Sequence, residues 1–229
     1  MSIAPSLATE TNRGNASEPR FDCDFCPRLA DFRSTNRRAF PDWFNAPVPS
    51  FGSSDASFLI VGLAPGLKGA NRTGRPFTGD YAGLLLYDTL LSYGFARGTY
   101  GERPDDGLVL TGCRITNGVR CVPPENKPTP DEIAACRRFL SGTLEEMRNV
   151  RAILVLGRIA FETTLRALAL KPSQHKFSHG GAVDLGGGCK LFMSYHCSRY
   201  NTSTGKLTPE MFRSVFDAIS AHLRNAGQQ

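Results

Sequence analysis

Four short apolar runs, each followed by a stretch of helical periodicity, most constrain what this chain can fold into. They occupy residues 57–63, 108–115, 152–156 and 190–195. Each is apolar nearly throughout, the pattern of strands covered on both faces. Residues 82–93 carry Leu84, Leu85, Tyr87 and Leu91 at helical spacing. Residues 129–149 open with a helix-start signal: Thr129 to cap, Pro130 at the first helical position, Glu132 three after the cap. A third helix is expected over 158–170. A fourth repeats the same grammar at Thr208, Pro209 and Glu210 and runs to residue 225. This alternation predicts an α/β three-layer sandwich, with a central, mostly parallel four-stranded sheet flanked by helices.

Within 229 residues the pattern leaves room for one domain, expected over 21–229. Residues 1–20 are rich in Ser, Thr, Asn, Ala and Pro and read as a disordered tail. Residues 21–54 read as an irregular segment wrapping the core. A hydrophobic fraction of 41% supports a real core and argues against global disorder. No apolar run is long enough to span a membrane. The N-terminus lacks the basic and apolar regions of a secretory signal, so a cytoplasmic, nucleoid-associated protein is expected. Net charge is +6 and the pI about 9.1, which suits a polyanionic partner such as nucleic acid or phosphate.

Ligands of open α/β sheets bind where strands end at their carboxyl edge. Four polar loops leave that edge here. The first is GLAPGLKGANRTGRPFTGD, residues 62–80; the second begins at Asn117 and runs through Cys121 to Pro128; the third holds Gly157 and Arg158; the fourth is His196-Cys197-Ser198-Arg199. In the first loop, glycines let a ligand approach backbone N–H groups closely. Lys68, Arg72 and Arg75 can meet phosphates. Phe77 is an aromatic in a polar loop, placed either to stack on a planar ligand or to anchor the loop in the core. The glycine spacing does not fit a Walker-type nucleotide loop.

Seven cysteines in such a compartment do not form a disulfide framework. Cys23 and Cys26 form a C-x-x-C pair in a short irregular segment, which with two further cysteines suits a four-thiolate site for zinc or iron–sulfur. Spacing alone does not choose the other two among Cys113, Cys121, Cys136, Cys189 and Cys197. A thioredoxin-like role is disfavoured, because no strand precedes the pair.

The stretches GLAPG…NRTGRPFTGD, ITNGVRCVPPENKPTP…AC, LGRIAFE and SYHCSRYNTSTGKLTPEMF together resemble the uracil-DNA glycosylase superfamily. The resemblance covers residues 21–223 in order and is nearest to family 5, the B-type iron–sulfur enzymes. Family 4 carries an acid in its first motif, G-E-A-P-G; here that position is Ala64, an apolar residue as in family 5. The resemblance implies the glycosylase fold, a [4Fe–4S] cluster on Cys23, Cys26, Cys121 and Cys136, and a monomer that hydrolyses the N-glycosidic bond of uracil and other damaged bases in DNA.

Residue by residue, it implies that Gly62, Ala64, Phe77 and Asn117 form the base pocket, with Phe77 stacking and Asn117 reading the base edge. His196 would donate to O2 of the leaving base. Asn71, Arg72, Ser198 and Arg199 would contact DNA. Because Ala64 cannot activate water, Asp80 and Asn126 are expected to act as catalytic contributors, Asp80 competing with a role as helix cap. Cys197 stands where the family commonly has proline or another apolar residue; it is left out of the cluster. Two rival readings are a non-catalytic damage-binding relative, suggested by Ala64, and a zinc-stabilised enzyme acting on a small phosphorylated substrate.

Overall fold

The computed structural model describes residues 17–226. Its α-helices and strands, in chain order, are α1 (Pro27–Ala39), β1 (Phe58–Gly62), α2 (Ala70–Thr73), α3 (Tyr81–Ser92), β2 (Ala96–Arg97), β3 (Val109–Leu110), β4 (Cys113–Asn117), α4 (Pro130–Glu146), β5 (Ala152–Leu156), α5 (Arg158–Ala167), β6 (Ala182–Gly186), β7 (Cys189–Ser194), α6 (Arg199–Ser203) and α7 (Pro209–Ala226).

The main sheet runs β4–β1–β5–β7–β6. The first four strands are parallel, with Phe58 opposite both Cys113 and Ala152, and Ala152 opposite Lys190. β6 is antiparallel to β7. The expected α/β sandwich is therefore present, with one more strand than the four read from sequence. β6 escaped because it lies at an edge and is largely solvated, with only Val183 and Leu185 as large apolar residues.

Alternate residues of the buried strands face opposite layers. Phe58, Ile60, Leu154 and Phe192 pack with Leu86 and Leu90 of α3 and Phe212 and Phe216 of α7. Leu59, Val61, Ile153, Leu191 and Met193 pack with Leu140 of α4 and Phe161 and Leu165 of α5. Each such side chain contributes about 1.5–3 kcal/mol on burial.

The expected run 108–115 is broken. Gly112, at φ +63°, turns the chain between Leu110 and Cys113. β3 then pairs with β2 in a separate ribbon, while β4 alone enters the sheet. Nor is segment 21–54 irregular throughout, since α1 lies in it. α1 buries Leu29, Arg33 and Asn36, two polar residues out of three, so its inner face carries no apolar signal.

Most of the expected tail, residues 1–16, lies outside the described residues. Glu18, inside the same stretch, is docked: it accepts from Arg120 Nη1 at 2.8 Å, Arg114 Nη2 at 3.3 Å and the Ser50 N–H at 3.1 Å. Arg120 is only 1% exposed, so Glu18 supplies a counter-charge to a buried cation.

Candidate active site

Three of the four loops, those of residues 62–80, 117–128 and 196–199, enclose a cavity at the carboxyl edge of the sheet; Gly157 and Arg158 of the third are not in its lining. The cavity, of about 410 Å³, is lined by Leu63, Ala64, Pro65, Gly66, Ala70, Phe77, Asp80, Tyr81, Ala82, Asn117, Asn126, His196, Ser198 and Arg199. Eight of the residues singled out in the sequence are in that lining.

Asn117 ends β4, whose register with β1 sets it opposite Gly62. Its side chain is buried and its Oδ1 has no hydrogen-bond partner in the protein. A buried acceptor left open is costly unless a ligand completes it. Gly62 does not line the cavity but makes it possible. A Cβ there would run into Asn117 Oδ1 and come within 2.7 Å of the Phe77 ring.

Phe77 is buried, 6% exposed, as the anchor role expects, and its ring also forms part of the cavity wall. Its ring lies 5.9 Å from that of His196, the planes 29° apart. His196 sits two residues beyond β7, and its carbonyl accepts from Asn201 Nδ2 at 2.8 Å, which braces the loop. No protein group among the described residues hydrogen-bonds the His196 ring. Burial alone pushes its pKa down to about 4, so the imidazole is neutral near pH 7.

Asp80 takes the capping role weighed for it and also borders the cavity. Its Oδ1 accepts from the Gly83 N–H at 3.3 Å and caps α3. Its carboxylate packs over the Gly66 and Gly69 backbone and borders the cavity. Burial raises its pKa, opposed by hydrogen bonds from Gly83 and Ala82. Asn126 lines the cavity with φ at +57°, following Glu125 at +56°.

Ser198 caps α6, accepting from the Asn201 N–H at 3.4 Å, and Arg199 is exposed with its guanidinium 5.2 Å from the Tyr81 ring centroid. Tyr81, 40% exposed, was missed in the sequence because a helix-start aromatic carries no signal of facing a cavity. Cys197 is turned away under α3, fully buried, its thiol donating to the Ala82 carbonyl at 3.4 Å.

Two expectations for the first loop are corrected. Asn71 is 1% exposed and donates from Nδ2 to Asn45 Oδ1 at 2.9 Å, so it has no face for DNA. Arg75, read as a phosphate ligand, is buried in a bidentate pair with Asp106 at 2.8 and 2.6 Å. Arg72 remains exposed, outside the cavity lining, its Nε donating to the Lys68 carbonyl at 2.9 Å.

Away from this pocket, Cys23, Cys26, Cys121 and Cys136 line one small cavity with Leu29 and Phe139. They come from the segment before α1, the loop after β4, and α4. Arg33 Nη1 donates to Cys121 Sγ at 3.4 Å and the Arg120 N–H to Cys136 Sγ at 3.3 Å. Donors aimed at sulfur suit thiolates that carry charge. Burial pushes the metal-free thiols up, to about 11 for Cys121 and about 12 for Cys136. Among the described residues no three Cys, His, Asp or Glu side chains are placed to hold one metal ion. Four thiol donors around one small cavity are the chemistry a metal–sulfur group requires.

The family model of the uracil DNA glycosylase superfamily matches residues 49–220. A type-5 uracil-DNA glycosylase of Thermus thermophilus is 47% identical over 84% of this chain and 90% of its own. One of Pyrobaculum aerophilum is 37% identical over 87% of this chain and 88% of its own. A type-4 enzyme of Saccharolobus solfataricus is 30% identical over 76% of each chain. With the superfamily match spanning most of its length and type-5 members this similar, the chain belongs to the uracil-DNA glycosylase superfamily.

Proposed function

We propose that this protein hydrolyses the N-glycosidic bond of uracil, and of other deaminated or damaged bases, in DNA and leaves an abasic site. The observation that carries the reading is the buried, unpartnered Asn117 Oδ1, set in one pocket with the Phe77 ring and a neutral His196. Uracil N3–H would donate to that oxygen, and the Asn117 amide N–H to uracil O4.

The base leaves the stack before its bond to C1′ can be reached. Phe77 supplies the stacking face. As the bond breaks, its electron pair moves onto the base, and the His196 N–H stabilises the charge at O2. Water adds to C1′ from the other side and gives up a proton. Ala64 has no group to take it; Asp80 does, and its carboxylate also offsets the positive charge on the sugar. Asn126 helps hold the water. A methyl group at position 64 leaves space that accommodates bulkier lesions. Arg72, Ser198 and Arg199 hold the DNA backbone.

Cys23, Cys26, Cys121 and Cys136 would hold a [4Fe–4S] cluster. When bound, it would supply metal–thiolate bonds that tie the N-terminal segment to α4 and the loop after β4, contributing to folding energy. Colour separates this reading from the zinc rival: a [4Fe–4S] protein is brown, with broad absorbance near about 400 nm, whereas zinc is silent. Among the described residues no helix is long and apolar enough to cross a membrane. The reading has residues 21–229 acting as one domain and one monomer in the cytosol.

The test is cleavage of end-labelled oligonucleotides carrying one uracil, hypoxanthine or ethenocytosine, by wild type, Asp80→Ala and His196→Ala. Wild type should produce abasic sites, and His196→Ala should be slower by about 10²–10³, the usual cost of one lost charge-stabilising donor. The absence of Ala64's acidic counterpart favours one rival, a damage-binding protein without catalysis. DNA binding with no abasic product from any lesion would establish that rival.

A further inference from the structure

Phe77 lies at φ +56°, in the left-handed region that non-glycine residues enter only when their surroundings hold them there. The surroundings do so one residue at a time. The Arg75 guanidinium is locked by both carboxylate oxygens of Asp106 and donates from Nε to Thr78 Oγ1 at 2.7 Å. The Pro76 carbonyl accepts from Tyr87 OH at 2.6 Å, and the Phe77 carbonyl from Tyr100 OH at 3.2 Å. Tyr87 and Tyr100 stack on each other, ring centroids 4.5 Å apart. Asp106 is fixed in turn by the N–H groups of Gly101 at 2.8 Å and Leu108 at 3.0 Å.

Tyr100 and Asp106 belong to the connection between β2 and β3, and neither lines the pocket. Their grip nonetheless falls on four consecutive residues centred on the pocket's aromatic wall. Gly83 is part of the fit, since a Cβ there would strike both the Phe77 carbonyl oxygen and Tyr100 OH.

We infer that Tyr100 and Asp106 are positioning residues for base excision: acting through Arg75 and the backbone of residues 76–78, they hold the Phe77 ring against the pocket before a base arrives. The inference rests on the reading of Phe77 as the stacking platform. A ring already in place spares the incoming base the ordering of residue 77, which a free loop would impose at each turnover. With the clamp loosened, Phe77 relaxes toward negative φ and its ring leaves the position between Gly62 and His196.

The experiment is single-turnover excision of uracil from duplex DNA by wild type, Tyr100→Phe, Asp106→Asn, Phe77→Ala and the double variant Phe77→Ala/Tyr100→Phe. Binding of undamaged duplex and thermal melting are measured alongside. Tyr100→Phe removes one hydroxyl and keeps the ring on Tyr87. It should slow excision about tenfold, the scale of a misplaced group rather than a missing one. Affinity for undamaged duplex should not change. In the Phe77→Ala background the same substitution should cost nothing further, because the residue it positions is gone. Asp106→Asn should behave as Tyr100→Phe does; if it unfolds, the Tyr100 cycle decides alone.

A wild-type rate for Tyr100→Phe, or an equal loss with and without the Phe77 ring, overturns the inference. If Phe77→Ala is slow while Tyr100→Phe is not, only the positioning role falls. If Phe77→Ala itself keeps the wild-type rate, the platform reading falls and the inference falls with it.

Discussion

His196 and Asp80 face the same cavity, and burial moves their pKa values toward each other from opposite sides. The histidine is lowered from 6.5 to about 4, and the aspartate is raised from 3.8. Between about pH 4 and 6.5 the unfolded chain binds a proton at His196 that the folded chain refuses. Stability from this group is therefore full above 6.5 and is lost as pH falls toward 4. Asp80 acts in the opposite sense, favouring the folded state at acid pH and losing that contribution as pH rises through its raised pKa. For excision, the acid limb of kcat/KM, which reports the free enzyme, should belong to Asp80, with a midpoint above 3.8. It should persist, at lower rate, in His196→Gln. A limb centred near 6.5 that vanishes in His196→Gln would show that the histidine is not held neutral. Sequence reading found both residues from their positions in loops. It assigned Asn71 and Arg75 to the surface because polarity in a glycine-rich loop says nothing of which way a side chain turns. Asn45 and Asp106, their partners, lie 26 and 31 residues away.

Among the elements, α4 is the one whose start was fully legible. Thr129 Oγ1 accepts from the Glu132 N–H at 3.3 Å, and Glu132 Oε2 accepts from the Thr129 N–H at 2.7 Å. The same carboxylate also accepts two 2.8 Å bonds from Arg28 of α1, so the cap ties together two helices that each bear or adjoin cysteines of the small cavity. Thr129→Ala should cost about 0.5–2 kcal/mol in denaturant unfolding, the usual range for a lost cap. Excision per folded molecule should be unchanged, and a loss of turnover at full folding would place Thr129 in the site instead. α1 itself was illegible for the reason that makes it useful. Its inward positions hold Arg33, which donates to Cys121 Sγ, and Asn36, whose backbone carbonyl accepts from the Asn45 side chain, rather than an apolar stripe. Periodicity detects helices that bury hydrocarbon and misses those that bury polar contacts.

At the scale of the whole molecule, the net charge of +6 becomes a surface only where the folded chain leaves cations free. Arg75, Arg114 and Arg120 are spent on internal carboxylates, whereas Arg199 is exposed at the pocket rim. Arg199→Ala should weaken binding of any duplex and reduce the slope of log affinity against log salt by about 0.9, the release of one phosphate's counterions. An unchanged slope would remove Arg199 from the DNA-binding surface.

By itself the sequence determined the α/β class, the parallel strands, the capped helices and the sheet edge where the site lies. These follow from local periodicity and from the rule that ligands meet such sheets at strand ends. Only the tertiary structure decided which polar residues face the cavity, that Asp80 caps and borders the site at once, that four distant cysteines share one cavity, and that Tyr100 and Asp106 grip the backbone beside Phe77. Apart from the Asp80 cap, which is local, each of these depends on contacts between residues far apart in the chain. Register, burial and partner choice set such contacts, and no short stretch of sequence contains them.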